Sequence, residues 1–357
     1  MSIPGQSSAQ IIRIDGRRPE SRCKIADGGP VIHGMRCFNC PIPLLVSAFL
    51  AAATLLVAQE PPQAPAPPED LATLPPQEQA ERLGIKLPKL PWHVADFWWN
   101  FEKPIAHFES LEIDVTIDRD LPLDVNLYVS PLGVAQINGL QFYGGLQTNI
   151  NGWAGKESRE RVNRGLGAIF SRWSSDEKTP IGLGHVRMAA DGLCESAGYE
   201  GEFCSVRRPL VWGKGTYTYS VLKGDSEVID GVVHTWFHCL VRAHSNNVTT
   251  AIGSLRFEGS EFTYWAKHAA FVEIYSTQKI PRSKIPRVVV TFGYPRINGI
   301  KPITKRTTVN YNATGRAMAP ACAKAHADGE NLVVELGPIF QRDPAAGNQA
   351  LEVTPHH

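Results

Sequence analysis

The 357-residue chain lacks the motifs that most enzymes carry in their sequences. It has no H-E-x-x-H pair for a catalytic zinc, no G-x-S-x-G elbow, no phosphate loop and no dinucleotide glycine fingerprint. Gly213-Lys214-Gly215-Thr216 has two glycines around a lysine. It lacks the upstream glycine of a phosphate loop and precedes a strand, so a hairpin turn is expected there. Charge of one sign is also missing: 36 Lys and Arg stand against 35 Asp and Glu, a net charge of +1. A nucleic-acid binder would show a basic face or a high pI, so nucleic acid is not an expected partner. No βαβ rhythm and no internal repeat is visible.

What the chain does have is a period of two. In Leu111–Asp118, Leu111, Ile113, Val115 and Ile117 share one face, and Glu112, Asp114, Thr116 and Asp118 share the other. That is the pattern of a half-buried strand. Similar runs are 123–130, 140–147, 168–173, 185–190, 216–223, 232–242, 250–257, 269–275 and 287–292, most of them separated by Gly, Pro, Asn, Asp or Ser. About ten short strands without long helical periods predict an all-β fold, an antiparallel β-sandwich or jelly roll. The domain is expected over residues 92–340, with a last strand near Leu332–Leu336 and a loose tail from 341 to 357.

Upstream, Met35-Arg36 opens a basic segment and Ile42–Val57 is an uncharged apolar run of 16 residues with a polar exit at Gln59-Glu60. This is the layout of a secretory signal peptide over 35–59. It predicts a secreted, periplasmic or cell-envelope location, with a membrane role only if the segment is kept as an anchor. Residues 1–34 are read as an extension ahead of the true start at Met35, or as disordered. Residues 60–91 form a Pro-rich linker, stiff and extended in EPPQAPAPPED, with a short helix after Pro75-Pro76 that ends at Gly84.

Of the seven cysteines, Cys23, Cys37 and Cys40 lie at or before the signal region. The other four are Cys194, Cys204, Cys239 and Cys322, an even number that permits disulfides in an oxidising compartment. Cys194 and Cys204 are the closest pair and the candidate bridge, with four free thiols as the alternative.

Metal readings are weak. His234 and His238 have i, i+4 spacing, but on a strand this places them ~13 Å apart, too far to share an ion. Asp114, Asp118, Asp120 and Asp124 invite a calcium reading that strand and turn positions explain as well. No metal or cofactor is expected.

Two segments carry the candidate site. Between Leu140 and Trp173, the residues Tyr143, Gln147, Asn149, Asn151, Trp153 and Trp173 supply amides and flat apolar faces, the combination that carbohydrate sites use. The plainer reading puts Trp173 in the core and Asn151-Gly152 in a turn, and Trp153 is preferred to Trp173 as a binding ring. Between Cys194 and Trp212, Tyr199 and Trp212 are candidate stacking rings. Glu195, Glu200 and Glu202 gather carboxylates beside Arg207-Arg208, and Glu195 or Glu200 would be the acid/base of a glycosidic reaction. Charges pairing among themselves is the plainer reading.

FYGGLQTN (142–149), AIFSRW (168–173), EGEFCS (200–205) ahead of Trp212, and KGTYTYSV (214–221) follow one another as in the domain of unknown function numbered 3472, which this chain resembles over about 114–294. Glu202, Phe203 and the bracketing cysteines depart from that pattern. The resemblance implies export and a β-sandwich, and carries no catalytic residues over. The leading expectation is a secreted protein that binds polysaccharide or glycan. The alternatives are a glycoside hydrolase or polysaccharide lyase and a structural envelope or adhesion domain, and the reading leans away from catalysis.

Overall fold

The computed structural model describes residues 71–176, 178–199, 201–312 and 318–354. The expected signal peptide, residues 1–34, the start of the linker and Glu200 lie outside them. The described residues form an antiparallel β-sandwich of two nine-stranded sheets.

Sheet A runs in the order β18 (Asn348–Leu351), β15 (Thr304–Asn310), β1 (Trp92–Phe101), β12 (Lys267–Ile274), β3 (Leu127–Ile137), β4 (Leu140–Trp153), β5 (Arg161–Trp173), β8 (Phe203–Pro209) and β7 (Leu193–Ala197). Sheet B runs β16 (Ala319–Asp328), β17 (Asn331–Arg342), β13 (Val288–Phe292), β2 (Ser110–Ile117), β9 (Gly215–Ile229), β10 (Val232–Ala243), β11 (Thr249–Glu258) and β6 (Val186–Met188), with β14 (Arg296–Ile297) also on β2.

Alternation builds the core. On β2, Leu111, Ile113, Val115 and Ile117 are all fully buried while their neighbours face outward. Across the interface Phe97 meets Phe292 at 5.6 Å, Phe142 meets Phe257 at 5.8 Å, and Phe108 stacks on Phe237 at 5.7 Å. Tyr219 of sheet B donates its hydroxyl to Ile169 O of sheet A at 2.7 Å.

That last bond explains the double glycine of FYGG. A Cβ on Gly144 would lie 1.9 Å from the Tyr219 hydroxyl, and one on Gly145 would lie 2.3 Å from Val129 O. Hairpins are set by turn chemistry. Asn138 and Gly139 (φ 49° and 80°) join β3 to β4, and Asp230 and Gly231 (φ 50° and 79°) join β9 to β10, as a two-residue type I′ connection requires.

Several expectations are corrected. Asn151-Gly152 lies inside β4 rather than in a turn, because the ladder to β5 continues through Asn151↔Asn163 and Gly152↔Val162. The Cys194–Trp212 segment is a hairpin, β7–β8, not a loop. Strands that the alternation did not pick out are β1 at Trp92–Phe101, inside sheet A, and β14, β15 and β16 after Tyr294.

The chain end is not loose: β18 pairs with β15 from Asn310↔Asn348 to Thr307↔Leu351. The domain also begins before Trp92. The short helix α1 (Pro76–Arg82) forms where expected, and its Gln79 is buried rather than part of a free linker. Gln79 Nε2 donates to Leu74 O at 2.9 Å, and Oε1 accepts from Ile339 N on β17 at 3.0 Å.

The expected Cys194–Cys204 bridge is not formed, and all four described cysteines are free and buried. In the β7–β8 ladder Cys194 faces Val206 and Ser196 faces Cys204. The two thiols therefore sit on a diagonal, ~7 Å apart, where a disulfide needs about 4 Å between Cβ atoms. Burial pushes the Cys204 and Cys239 thiols up to about 12.

Among the described residues no helix is long and apolar enough to cross a membrane, and no group of three or more metal-binding side chains occurs. The four aspartates have protein partners: Asp114 takes Thr218 and Arg296, Asp118 takes Arg119 and Val289 N, Asp120 takes Lys214 N and Asp124 takes Lys284.

Candidate functional site

Sheet A carries a second cluster on its outer face, away from sheet B. Tyr128, Tyr143, Ile169, Phe271 and Tyr275 bury one another there, with Trp173 packed against them. Period-two alternation puts them on that side: Leu127 and Val129 enter the inter-sheet core while Tyr128 points outward.

Curvature makes this face concave. β7 pairs with β8 and also touches the end of β4 at Trp153↔Cys194, so the β4–β5–β8–β7 end of the sheet curls on itself. The result is a cleft of about 750 Å³, within the ~300–1,000 Å³ range of small-molecule sites.

Both candidate segments reach the cleft. From the first come Tyr143, Gln147, Asn151, Arg161 and Trp173, and from the second Tyr199 and Arg207. Tyr143 and Trp173 lie ring to ring at 4.5 Å, tilted by 39°. Tyr128 meets Phe271 edge-on at 5.1 Å.

Asn149 sits behind the wall: its backbone N–H donates to the Tyr275 hydroxyl at 3.1 Å, and its side-chain amide lies 3.5 Å from Thr277 Oγ1. It holds the Tyr275 side of the cleft rather than lining it.

The two tryptophans expected to bind are elsewhere. Trp212 is only 4% exposed, and its indole N–H is shared between Gln147 O (3.1 Å) and Gly167 O (3.2 Å). It braces β4 against β5 from the core. Trp153 is half-buried against the main core under Arg159, whose guanidinium is 5.8 Å from the ring. Trp173, ranked below Trp153 as a binding ring with the core as its plainer place, lines the cleft.

Glu195 is the charged centre of the curled end. Its side chain has no exposure and lies between two guanidiniums. Arg207 Nη1 donates to Oε2 at 2.7 Å, and Arg161 donates to Oε1 and to Asn151 Oδ1. The Tyr199 hydroxyl reaches Oε1 at 3.3 Å.

Burial alone would raise the Glu195 carboxyl. Arg207 and Arg161 outweigh it and hold the group below the usual carboxylate range. A carboxylate kept ionised in this way has no proton to give, and its lone pairs are taken. Such a group positions arginines and is poorly suited to general acid work.

Several cleft residues were not singled out in the sequence. Tyr128, Phe271 and Tyr275 stand among apolar residues in ordinary strand patterns, and only their shared outer face sets them apart. Tyr128 is 3% exposed yet its hydroxyl makes no hydrogen bond of normal geometry. On the opposite wall Glu273 lies 3.9 Å from His93 Nε2, and His93 Nδ1 is 2.9 Å from Asp96. One signal was legible: Arg207-Arg208 beside three glutamates marks a place where charges must be paired. No family model and no curated protein matches this chain.

Proposed function

We propose that the protein is an exported carbohydrate-binding β-sandwich that holds a glycan in the outer cleft of sheet A. The observation that carries this reading is the cleft itself, where flat aromatic surfaces and amide or guanidinium donors meet on one concave face. Sugars present the matching pair, an apolar C–H face and a rim of hydroxyls. Tyr143, Trp173 and Tyr128 supply the surfaces; Gln147, Asn151 and Tyr199 supply hydrogen-bonding groups. The signal-peptide pattern at 35–59 and the resemblance to the 3472 domain support an extracellular or envelope setting, where polysaccharides are met.

The hydrolase or lyase reading finds less support. Glu195 is committed to Arg161 and Arg207, and Glu200 lies outside the described residues. A purely structural role suits Trp212, which is core, but leaves the outer aromatic cluster without a purpose.

Affinity electrophoresis against plant, algal and bacterial polysaccharides tests the proposal. Wild type is expected to be retarded by at least one glycan. Trp173→Ala is expected to weaken that binding about tenfold or more, the worth of ~1.4 kcal/mol of ring contact. Trp153→Ala is expected to leave it unchanged. Absence of retardation by every glycan, or an equal loss in both variants, would overturn the proposal.

A further inference from the structure

Among the described residues the Arg161–Glu195–Arg207 triad sets two positive charges on one negative, so the triad itself carries an excess positive charge. Arg207 is only 6% exposed and lines the cleft, yet its one hydrogen bond among the described residues goes from Nη1 to Glu195. A guanidinium has five N–H donors, and a buried charge is costly unless its donors are taken.

The neighbouring hydroxyls point the same way. Tyr143, Ser171, Ser205 and Glu195 form one cross-strand row on the outer face. Ser171 and Ser205, behind the cleft lining, are fully buried and their hydroxyls have no partner among the described residues. Tyr128, on the cleft wall, is in the same condition. An excess cation beside unmatched hydroxyls is a donor-rich environment lacking an acceptor.

Resting on the carbohydrate reading, we infer that the cleft's ligand is an acidic glycan, whose sugar carboxylate or sulfate docks on Arg207 and Arg161. An oxyanion accepts from both guanidiniums in the charge-assisted geometry that arginine favours, while the sugar ring lies on Tyr143 and Trp173. Glu273, on the opposite wall beside His93, sets the direction. It accepts from hydroxyls and repels a second anion, so the charged group lies at the curled end.

The test is affinity electrophoresis in gels containing polygalacturonate or alginate (carboxylate), dextran sulfate (sulfate), or dextran and laminarin (neutral). Wild type is expected to bind one acidic polymer at least tenfold more tightly than the neutral ones, and the responding arm identifies the anion. Arg161→Gln, which leaves Glu195 paired with Arg207, is expected to lose that preference about tenfold. Arg187→Gln, on sheet B, removes an equal charge and is expected to keep it. Should the Arg161→Gln protein fail to fold, Arg161→Lys keeps the charge without the planar fork and is expected to lose part of the preference. Equal affinity for neutral and acidic polymers, or equal losses in Arg161→Gln and Arg187→Gln, overturns the acidic assignment and leaves glycan binding standing. No binding to any polymer overturns both.

Discussion

The outer faces of the two sheets differ in what they bury. On sheet B most polar side chains pair with one another, although His234 Nδ1 and Arg256 Nε have no partner among the described residues. Trp236 donates to Glu227 at 2.7 Å between Arg187 and Arg256, Thr116 meets Thr216 at 2.8 Å, and Thr218 donates to Asp114 at 2.6 Å. On sheet A the outer face buries an aromatic cluster and an ion triad, and the buried Tyr128, Ser171 and Ser205 hydroxyls have no hydrogen-bond partner among the described residues. A solvated sheet face needs only polar alternation and cross-strand pairing. A face that buries aromatics and an ion triad beside a cleft carries a desolvation cost, and such costs collect at binding sites.

The sharpest way to break this comparison is to remove an arginine from each face. Arg207→Met leaves the buried Glu195 short of its better-buried partner and is expected to cost ~3–5 kcal/mol. Arg187→Met on sheet B, whose partner Asp225 is exposed, is expected to cost ~1 kcal/mol or less. Urea unfolding measures both, and similar losses would show that the faces do not differ in this way.

Acid sharpens it next. His268 of β12 is fully buried, 2.8 Å from the Tyr264 hydroxyl and 2.9 Å from Pro131 O, and burial lowers it from 6.5 to about 4. Between those values the unfolded chain takes a proton that the folded one refuses, so stability falls as pH drops through this window. The His268→Gln protein is expected to lose ~3 kcal/mol less than wild type between pH 6.5 and pH 4. Glu195 acts in the same direction at lower pH: its depressed folded value stabilises above the unfolded value, and that contribution is lost as pH falls through the folded one. Chemical denaturation at stepped pH reads both effects.

Smaller still is the close approach under the cleft. Gly145→Ala forces a methyl against Val129 O and the Ser130 backbone and is expected to cost ~1–3 kcal/mol, seen as a lower urea midpoint at unchanged slope.

The smallest effect separates the faces most cleanly. Tyr128→Phe removes a hydroxyl that has no partner and is expected to change stability by less than ~0.5 kcal/mol while weakening glycan binding. Thr116→Val on sheet B breaks a made hydrogen bond and is expected to cost ~1 kcal/mol. A large stability loss in Tyr128→Phe would mean that its hydroxyl already has a partner within the protein.

Much of this fold was legible in advance because its cause is local. Alternation at Leu111–Ile117 depends only on neighbours two residues apart, and it placed β2 to within a residue. The same logic failed at Trp92–Phe101, where Trp98 and Trp99 put rings on both faces of the strand, and at Thr304–Asp328, where polar residues in β15 and in the edge strand β16 give little contrast. The Cys194–Cys204 bridge failed because nearness in sequence says nothing of ladder register.

For the candidate site, the sequence alone singled out two stretches, and Tyr143, Gln147, Asn151, Tyr199 and Arg207 from them line one cleft. It could not say which tryptophan lines the cleft. Trp153, Trp173 and Trp212 have equal chemistry, and only the curl of β4, β5, β8 and β7 turns Trp173 toward the cleft and seals Trp212 inside. Side-chain type and period are written residue by residue, but concavity belongs to a whole sheet. It arises from strand pairings between residues far apart in the chain, and no local pattern encodes them.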